Sequence, residues 1–146
     1  MYRYNDGDQC PVCDGSLKMK SSEKIVEYKG EKTTLYGFAE FVCTVCGEAF
    51  VDEKTIGEYE PRVRDFHRRV DGFLTSSEIK ALRKKLNLTQ DKLAQVLEVS
   101  RLTVSRYETG RLTQSKSQDI HMRMLKDYPE VLKAVDPKTD LNLRAG

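Results

Sequence analysis

The chain has 146 residues, a formal net charge of +2 and 33% charged residues. No stretch approaches the roughly 20 apolar residues of a membrane span, and the first residues lack the apolar run of a secretory signal. Composition therefore argues against a membrane protein and predicts a cytoplasmic one. The charge is uneven, because residues 1–57 hold 7 Lys/Arg against 10 Asp/Glu, whereas residues 73–146 hold 14 against 9. The basic second half favours an anionic partner.

The four cysteines form two Cys-x-x-Cys pairs, Cys10 with Cys13 and Cys43 with Cys46. Two such pairs separated by the length of a hairpin are the ligand set of a tetrahedral zinc site. Four thiolates leave no open coordination position, so the predicted zinc ion, one per chain, is structural. A glycine follows each pair, at Gly15 and Gly47, where we expect a positive φ in the turn that aims backbone N–H groups at the thiolates.

Two alternatives to zinc agree less well with the cysteine pattern. Metal-free surface thiol pairs would not explain the matched spacing and the glycines. A thioredoxin-like redox motif needs a β-α-β context, which the sequence does not offer, and disulfides are rare in a reducing cytosol. We therefore favour zinc.

Residues 1–52 are predicted to form a small zinc-binding β domain. The segments 24–29 and 33–36 are rich in β-branched and aromatic residues and flank a turn at 29–32. They predict an antiparallel sheet. Its core is too thin to hold without the metal, so zinc loss should unfold it.

Residues 53–72 are predicted to form a linker helix that begins after Asp52 as N-cap. Pro61 either kinks this helix or marks its start, and Asp71 and Gly72 close it. Its apolar residues recur at spacings of three and four: Ile56, Tyr59, Val63, Phe66 and Val70. Four arginines lie on its polar side, where they either contact phosphate or form a solvated face: Arg62, Arg64, Arg68 and Arg69.

Residues 73–135 are predicted to form an all-α helix-turn-helix domain, and residues 136–146 a frayed tail. Ser76 or Ser77 is expected to cap the first helix, Thr89 the second and Ser100 the third, which ends at Thr109 and Gly110. The residues expected to face the core are, helix by helix, Ile79, Leu82 and Leu86; Leu93, Ala94 and Leu97; and Val104 and Tyr107. A fourth helix over 117–128 has its apolar residues in register at Ile120, Met124 and Tyr128.

Residues 88–110 closely resemble the helix-turn-helix of the Cro/C1-type (XRE) repressor family, with Leu-Thr-Gln, Leu-Ala, Ser-Arg-Tyr-Glu and Gly in its order. The resemblance implies that the third helix enters the DNA major groove. It places base or phosphate contacts on Gln90, Ser100, Arg101, Leu102, Thr103 and Arg106. Independently of the family, arginines on an exposed helix face can bond guanine O6 and N7 bidentately. A merely solvated face would not account for the whole motif.

An enzyme is not expected. The sequence shows no Ser-His-Asp set, open metal site, paired carboxylates or phosphate-binding glycine loop, and His67 and His121 are isolated. Glu108 is expected to bond within its own domain and not to read a base.

The order of these features over about residues 8–135 resembles the MqsA-type antitoxins, which carry a YgiT-type zinc finger. The matching segments are the two cysteine pairs, Tyr28-Lys29-Gly30, the linker helix, Leu88-Thr89-Gln90 and Tyr128-Pro129-Glu130-Val131-Leu132. The resemblance implies a homodimer on a palindromic double-stranded operator that represses its own operon. It also implies that the zinc domain neutralises a small RNase toxin and that Arg64 contacts phosphate. The segment before Cys10, Pro61 and the tail depart from the pattern.

The overall prediction is an α+β protein of a type II toxin-antitoxin system. The alternative is a stand-alone XRE-family regulator whose zinc domain only stabilises, oligomerises or binds another protein. A co-transcribed gene for a small basic toxin would favour the first. Neither the operator sequence nor the effect of toxin on DNA binding follows from the chain.

Overall fold

The computed structural model describes residues 2–135 and has the predicted α+β class. Two compact units divide the chain, the first ending at Val63 and the second beginning at Arg64. The predicted frayed tail, 136–146, lies outside the described residues. Over the part of the chain that is described, no helix is long and apolar enough to cross a membrane.

The first unit is built on a three-stranded antiparallel sheet in the order β1-β2-β3. The strands are β1 (Leu17–Tyr28), β2 (Glu31–Cys43) and β3 (Ala49–Phe50). Lys29 and Gly30 connect β1 to β2, and both have positive φ, 48° and 81°. Two consecutive positive φ values match the twist of the flanking strands, which explains this tight hairpin. The predicted hairpin is confirmed, with longer strands than the β-rich segments indicated.

The core of the first unit is small, as predicted. Its buried side chains are Cys10, Leu17, Phe41 and Cys43, against which Tyr4, Cys13 and Phe50 pack. The Tyr4 ring lies 5.6 Å from that of Phe41 and 5.7 Å from that of Phe50. Two of these four buried residues, Cys10 and Cys43, are also candidate metal ligands, so the hydrophobic core and the metal centre form one cluster.

Helix α1 (Glu53–Asp71) is continuous through Pro61, so the proline neither starts nor interrupts it. Asp52 begins the helix, since its carboxylate accepts a hydrogen bond from the Thr55 N–H at 2.9 Å. That bond, more than any other contact, holds the Asp52 pKa below its ordinary value. Gly72 ends the helix with φ +75°.

The apolar stripe expected on α1 is only partly buried. Phe66 is 6% exposed, but Ile56 is 43% exposed and buried positions fall instead on Thr55 and Arg68. The helical period was right, but the stripe did not identify which side chains are covered.

The second unit contains α2 (Ser76–Lys85), α3 (Gln90–Leu97), α4 (Arg101–Glu108), α5 (Lys116–Asp127), a 3-10 turn (Pro129–Val131) and α6 (Leu132–Val135). Thr89 caps α3 and Ser100 caps α4, as predicted. The expected cap of α2 was wrong. Thr75 occupies that position, because it and Glu78 form a reciprocal capping box that neither Ser76 nor Ser77 can form.

The core of this unit lies between residues 74 and 132 and includes every inward residue predicted for α2, α3 and α4. The face expected on α5 was wrong. Met122 and Leu125 are buried, whereas Ile120, Met124 and Tyr128 are 41%, 47% and 59% exposed. Both sets recur at helical spacing, so periodicity alone could not choose between them.

Candidate metal centre and nucleic-acid interface

The four cysteines converge at one end of the sheet. Their Sγ atoms all lie within 4.8 Å of one another, with Cys13 and Cys43 at 3.4 Å and Cys10 and Cys46 at 3.8 Å. A tetrahedron with Zn–S bonds of about 2.3 Å has edges of about 3.8 Å, so the donor set fits a zinc ion. No water or substrate position would remain open, and the site fits a structural role.

Backbone N–H groups point at the sulfurs in both pairs. Val12 donates to Cys10 at 3.4 Å and Gly15 to Cys13 at 3.2 Å. In the second pair, Val45 and Cys46 donate to the Cys43 Sγ at 3.3 and 3.4 Å. Such bonds stabilise thiolates, which are the form that binds metal.

The pKa values of the thiols are shifted by their close approach. The Cys46 and Val45 N–H groups lower the pKa of Cys43 to about 6. For Cys46, which is exposed, the Glu48 N–H acts to lower the pKa, but local desolvation of the thiol and its bonds with the other three cysteines outweigh it and raise the pKa to about 12. Four thiolates this close repel one another, so all four can ionise together only around a bound cation.

The two glycines have different reasons to be there. Gly47 has φ +75°, as expected. Gly15 does not adopt a positive φ, so that expectation was wrong. A Cβ there would lie 2.6 Å from the Cys43 Sγ and 2.9 Å from Val45, so Gly15 provides space for the approach of the two cysteine pairs.

We expect Gly15→Ala to weaken zinc binding about 10- to 100-fold, because the added methyl separates Cys43 from its partners. Competition with a chromogenic chelator measures this. The matched control is Gly57→Ala on α1, where a Cβ would meet nothing within 4 Å. Equal zinc affinity for the two variants would contradict the steric role of Gly15.

The residues predicted to bind DNA fall on and around α4. Val104 and Tyr107 face the core, while Arg101, Leu102 and Arg106 are exposed, Leu102 at 57%. Helix α4 therefore presents Arg101, Leu102 and Arg106 away from the core of the unit. Arg101 lies 3.9 Å from Asp91, in an exposed ion pair that contributes little.

The other predicted DNA contacts have intramolecular roles as well. Ser100 accepts the Thr103 N–H at 3.1 Å, and the two hydroxyls lie 2.9 Å apart. Gln90 is half-buried at the first position of α3. Arg64 is half-buried too and donates to the Gly110 carbonyl at 3.3 Å, just beyond the end of α4.

Glu108 is buried and bonds within the unit, as predicted. Arg83 of α2 donates to both of its carboxylate oxygens, at 2.8 and 2.9 Å. The same guanidinium also donates to the Leu88 carbonyl at 3.0 Å. This bidentate pair connects α2 to the last residue of α4.

Arg68 is the residue that the sequence interpretation missed. It was assigned to the polar side of α1 with Arg62, Arg64 and Arg69, but it is fully buried. It donates to the Gln114 side chain at 2.9 Å and to Asp65 at 2.9 Å. No signal in the sequence around Arg68 distinguishes it from the adjacent Arg69, which is exposed.

Comparison with known proteins identifies the family of this chain. The model of MqsA, the antitoxin component of a bacterial toxin-antitoxin system, matches residues 8–136. The chain belongs to the MqsA antitoxin family. The antitoxin MqsA of Escherichia coli K12 is 30% identical over 130 residues, which span 87% of this chain and 98% of that protein.

Among solved structures, the N-terminal domain of E. coli MqsA is 24% identical, with a TM-score of 0.34, covering 44% of this chain and 98% of that one. Membership of the MqsA family makes this chain a regulatory protein and not an enzyme. It implies a toxin partner and, in general terms, DNA binding. With the four-cysteine cluster, it also supports a structural zinc ion as the cofactor.

Proposed function

We propose that this MqsA-family antitoxin represses its own operon through its second unit and neutralises a small RNase toxin through its zinc unit. The DNA ligand proposed is a palindromic operator bound by a homodimer. Because DNA is its ligand, we assign the protein to the cytoplasm. The functional division proposed is 1–52 for toxin, 53–72 as linker and 73–135 for DNA, with Cys10, Cys13, Cys43 and Cys46 as the zinc ligands.

The observation that carries the DNA proposal is the exposed face of α4. Arg101, Leu102 and Arg106 project from a helix whose opposite side is fixed in the core by Val104 and Tyr107. The arginines suit guanine, and Leu102 suits a thymine methyl. Gln90, Ser100, Thr103 and Arg64 complete the proposed set of base and phosphate contacts. The net charge of +5 over residues 73–146 favours the same ligand.

Arg106→Ala is expected to cost about 1 to 3 kcal/mol of operator binding and to relax base preference at one position. Titration of the DNA upstream of the gene, with each base pair varied in turn, measures both effects. Lys80→Ala removes the same charge from an exposed site on α2 and should leave base preference intact. Unchanged operator binding by Arg106→Ala would show that Arg106 does not contact a base.

The proposed dimer is supported by the exposed apolar face of α5. Ile120, Met124 and Tyr128 leave a stripe of apolar surface on a helix whose buried face is already occupied by Met122 and Leu125. Apolar side chains clustered on one exposed face favour a protein contact. Two-fold pairing would place the two α4 helices about 34 Å apart, in successive major grooves of an inverted repeat.

Met124→Glu is expected to convert the dimer to a monomer, because a carboxylate would be buried without a partner at the contact. Light scattering coupled to gel filtration gives the mass directly. Lys126→Glu is the control, because Lys126 is exposed and lies on the opposite side of the same helix from Met124, and this variant should remain dimeric. A dimer that persists in Met124→Glu would place the contact elsewhere.

The toxin proposal is tested by expressing the gene with its native neighbours and weighing the purified complex by native mass spectrometry. A zinc-loaded dimer that carries a small second protein supports it, provided that this protein cleaves RNA when released and not when bound. A zinc-loaded dimer alone would favour the stand-alone regulator. The net charge of −3 over residues 1–57 is consistent with a basic toxin.

A further inference from the structure

Arg68 lies in a buried polar network that reaches the C-terminal end of α4, the helix proposed to contact DNA bases. Its guanidinium donates to the carbonyls of Tyr107 and Leu112, at 3.4 and 2.5 Å. The remaining bonds go to Gln114 and Asp65. All of these partners except Asp65 are 39 to 46 residues away along the chain.

Two of these acceptors belong to the C-terminal end of α4 and to the loop that follows it. The last carbonyls of a helix have no partner within the helix and carry its partial negative charge, so a cation is favourable there. Arg64 donates to the Gly110 carbonyl in the same segment. Two arginines one turn apart on α1 therefore hold the backbone of residues 107–112.

The network is balanced, as a buried charge requires. Asp65 forms an ion pair with Arg68 at 2.9 Å and also accepts the Ser76 N–H at 2.9 Å, at the start of α2. Burial alone would raise the Asp65 pKa, but bonds from Ser76 and Arg68 outweigh it and hold the pKa low. Gln114 in turn donates to the Leu74 carbonyl at 2.8 Å and to Asp119 at 3.1 Å.

One exposed arginine directly precedes residues 107–112 and another lies within them. Arg106 lies directly before Tyr107, and Arg111 lies between Gly110 and Leu112. The carbonyls of Tyr107, Gly110 and Leu112 all accept hydrogen bonds from arginines of α1. The Arg111 N–H also donates to the Arg106 carbonyl at 2.9 Å, which joins the two backbones. The orientation of the Arg106 and Arg111 side chains therefore depends on a backbone that Arg68 holds through the Tyr107 and Leu112 carbonyls.

We propose that Arg68 is a positioning residue for DNA reading, which sets the orientation of the end of α4 and of the loop that carries Arg111. This inference rests on the proposed DNA-binding function. Arg68 is buried and does not touch DNA. It acts by fixing the end of the helix from which Arg106 projects.

The expected signature is a loss of discrimination and not of affinity alone. A bidentate contact to a guanine edge demands a defined direction of approach, whereas phosphate contacts tolerate small displacements. If Arg68 is altered, binding to a specific duplex should therefore weaken more than binding to an unrelated one. A purely structural role would lower the folded fraction and reduce both affinities by the same factor.

The test uses the full-length, zinc-loaded protein and two duplexes of equal length, one from the DNA directly upstream of its gene and one with the same bases shuffled. Arg68→Lys keeps the charge beside Asp65 but lacks the planar fork that reaches several acceptors. Arg68→Met removes the charge as well. The matched control is Arg69→Lys, since Arg69 is the neighbouring, exposed arginine of α1.

We expect Arg68→Lys to lose about tenfold in the ratio of the two affinities, the size of one lost base contact, while Arg69→Lys keeps the wild-type ratio. Circular dichroism at the assay temperature establishes whether each variant is folded. If Arg68→Met does not fold, the result for Arg68→Lys decides the test. An unchanged ratio for Arg68→Lys, beside a discriminating wild type, would overturn the positioning role alone. A wild type that does not prefer the upstream duplex would overturn the proposed function itself.

Discussion

Replacement of Cys43 by serine is expected to abolish stoichiometric zinc binding and to unfold the first unit. Cys43 accepts two backbone N–H bonds and is both a candidate ligand and a core residue, 3% exposed. A structural zinc ion contributes about 10–16 kcal/mol in small domains of this kind. The few other core side chains cannot replace that contribution.

The second unit should survive this change, because its core consists only of residues 74–132. Metal analysis gives the zinc content, and backbone NMR shows which residues lose their dispersed signals. Thr44→Ser, between Cys43 and Cys46, is the control. It keeps the hydroxyl that donates to the Ser16 carbonyl at 3.2 Å and should bind one zinc ion. A folded first unit in zinc-free Cys43→Ser would refute the structural role of the metal.

Glu108→Met is expected to destabilise the second unit by about 3–5 kcal/mol. The substitution leaves the Arg83 guanidinium, whose side chain is only 13% exposed, without the carboxylate that it contacts at 2.8 Å. An uncompensated buried charge is expensive, whereas a well-packed apolar pair in the same place is often neutral. Against a typical domain stability of about 5–15 kcal/mol, this loss is large.

A double-mutant cycle tests the explanation. Denaturant unfolding of Glu108→Met, Arg83→Met and the double variant should show that the second methionine restores most of the stability lost in Glu108→Met. Glu130→Met, at an exposed position of the same unit, is the control for loss of a carboxylate. If the double variant is no more stable than Glu108→Met, the penalty does not come from the orphaned charge.

The first seven residues lie outside the range that matches the family. Within these residues, the Tyr4 ring packs against the rings of Phe41 and Phe50, and the Tyr4 N–H donates to the Asp52 carboxylate at 3.3 Å. The Tyr2 carbonyl accepts the Glu53 N–H at 3.3 Å, at the start of α1. Residues that precede the family match thus add side-chain and backbone contacts to the small core around the metal centre.

Several features of this protein could be predicted because they are encoded within a few residues. The cysteine pairs, the hairpin between β1 and β2, the caps at Thr89 and Ser100 and the end of α4 at Gly110 each depend on local backbone geometry. The helix-turn-helix motif is a run of such signals in a fixed order. The fold class followed from them, and so did the zinc cofactor.

Other features depend on which surfaces meet, and the tertiary structure alone decided them. Gly15 is required for the approach of Cys43, 28 residues further along the chain, and not for its own φ. Two sets of apolar residues recur at helical spacings of three or four along α5 and its C-cap, and only the packing of the other helices determines which set is buried.

The contrast is clearest for the arginines of α1. By itself the sequence predicted a linker helix over residues 53–72 with a basic side, but it did not distinguish Arg68 from Arg69. The tertiary structure buries Arg68 because carbonyl and carboxamide acceptors from residues 107–114 converge on it, and leaves Arg69 exposed. A buried charge is tolerated only where its partners are already placed, and distant parts of the chain supply those partners.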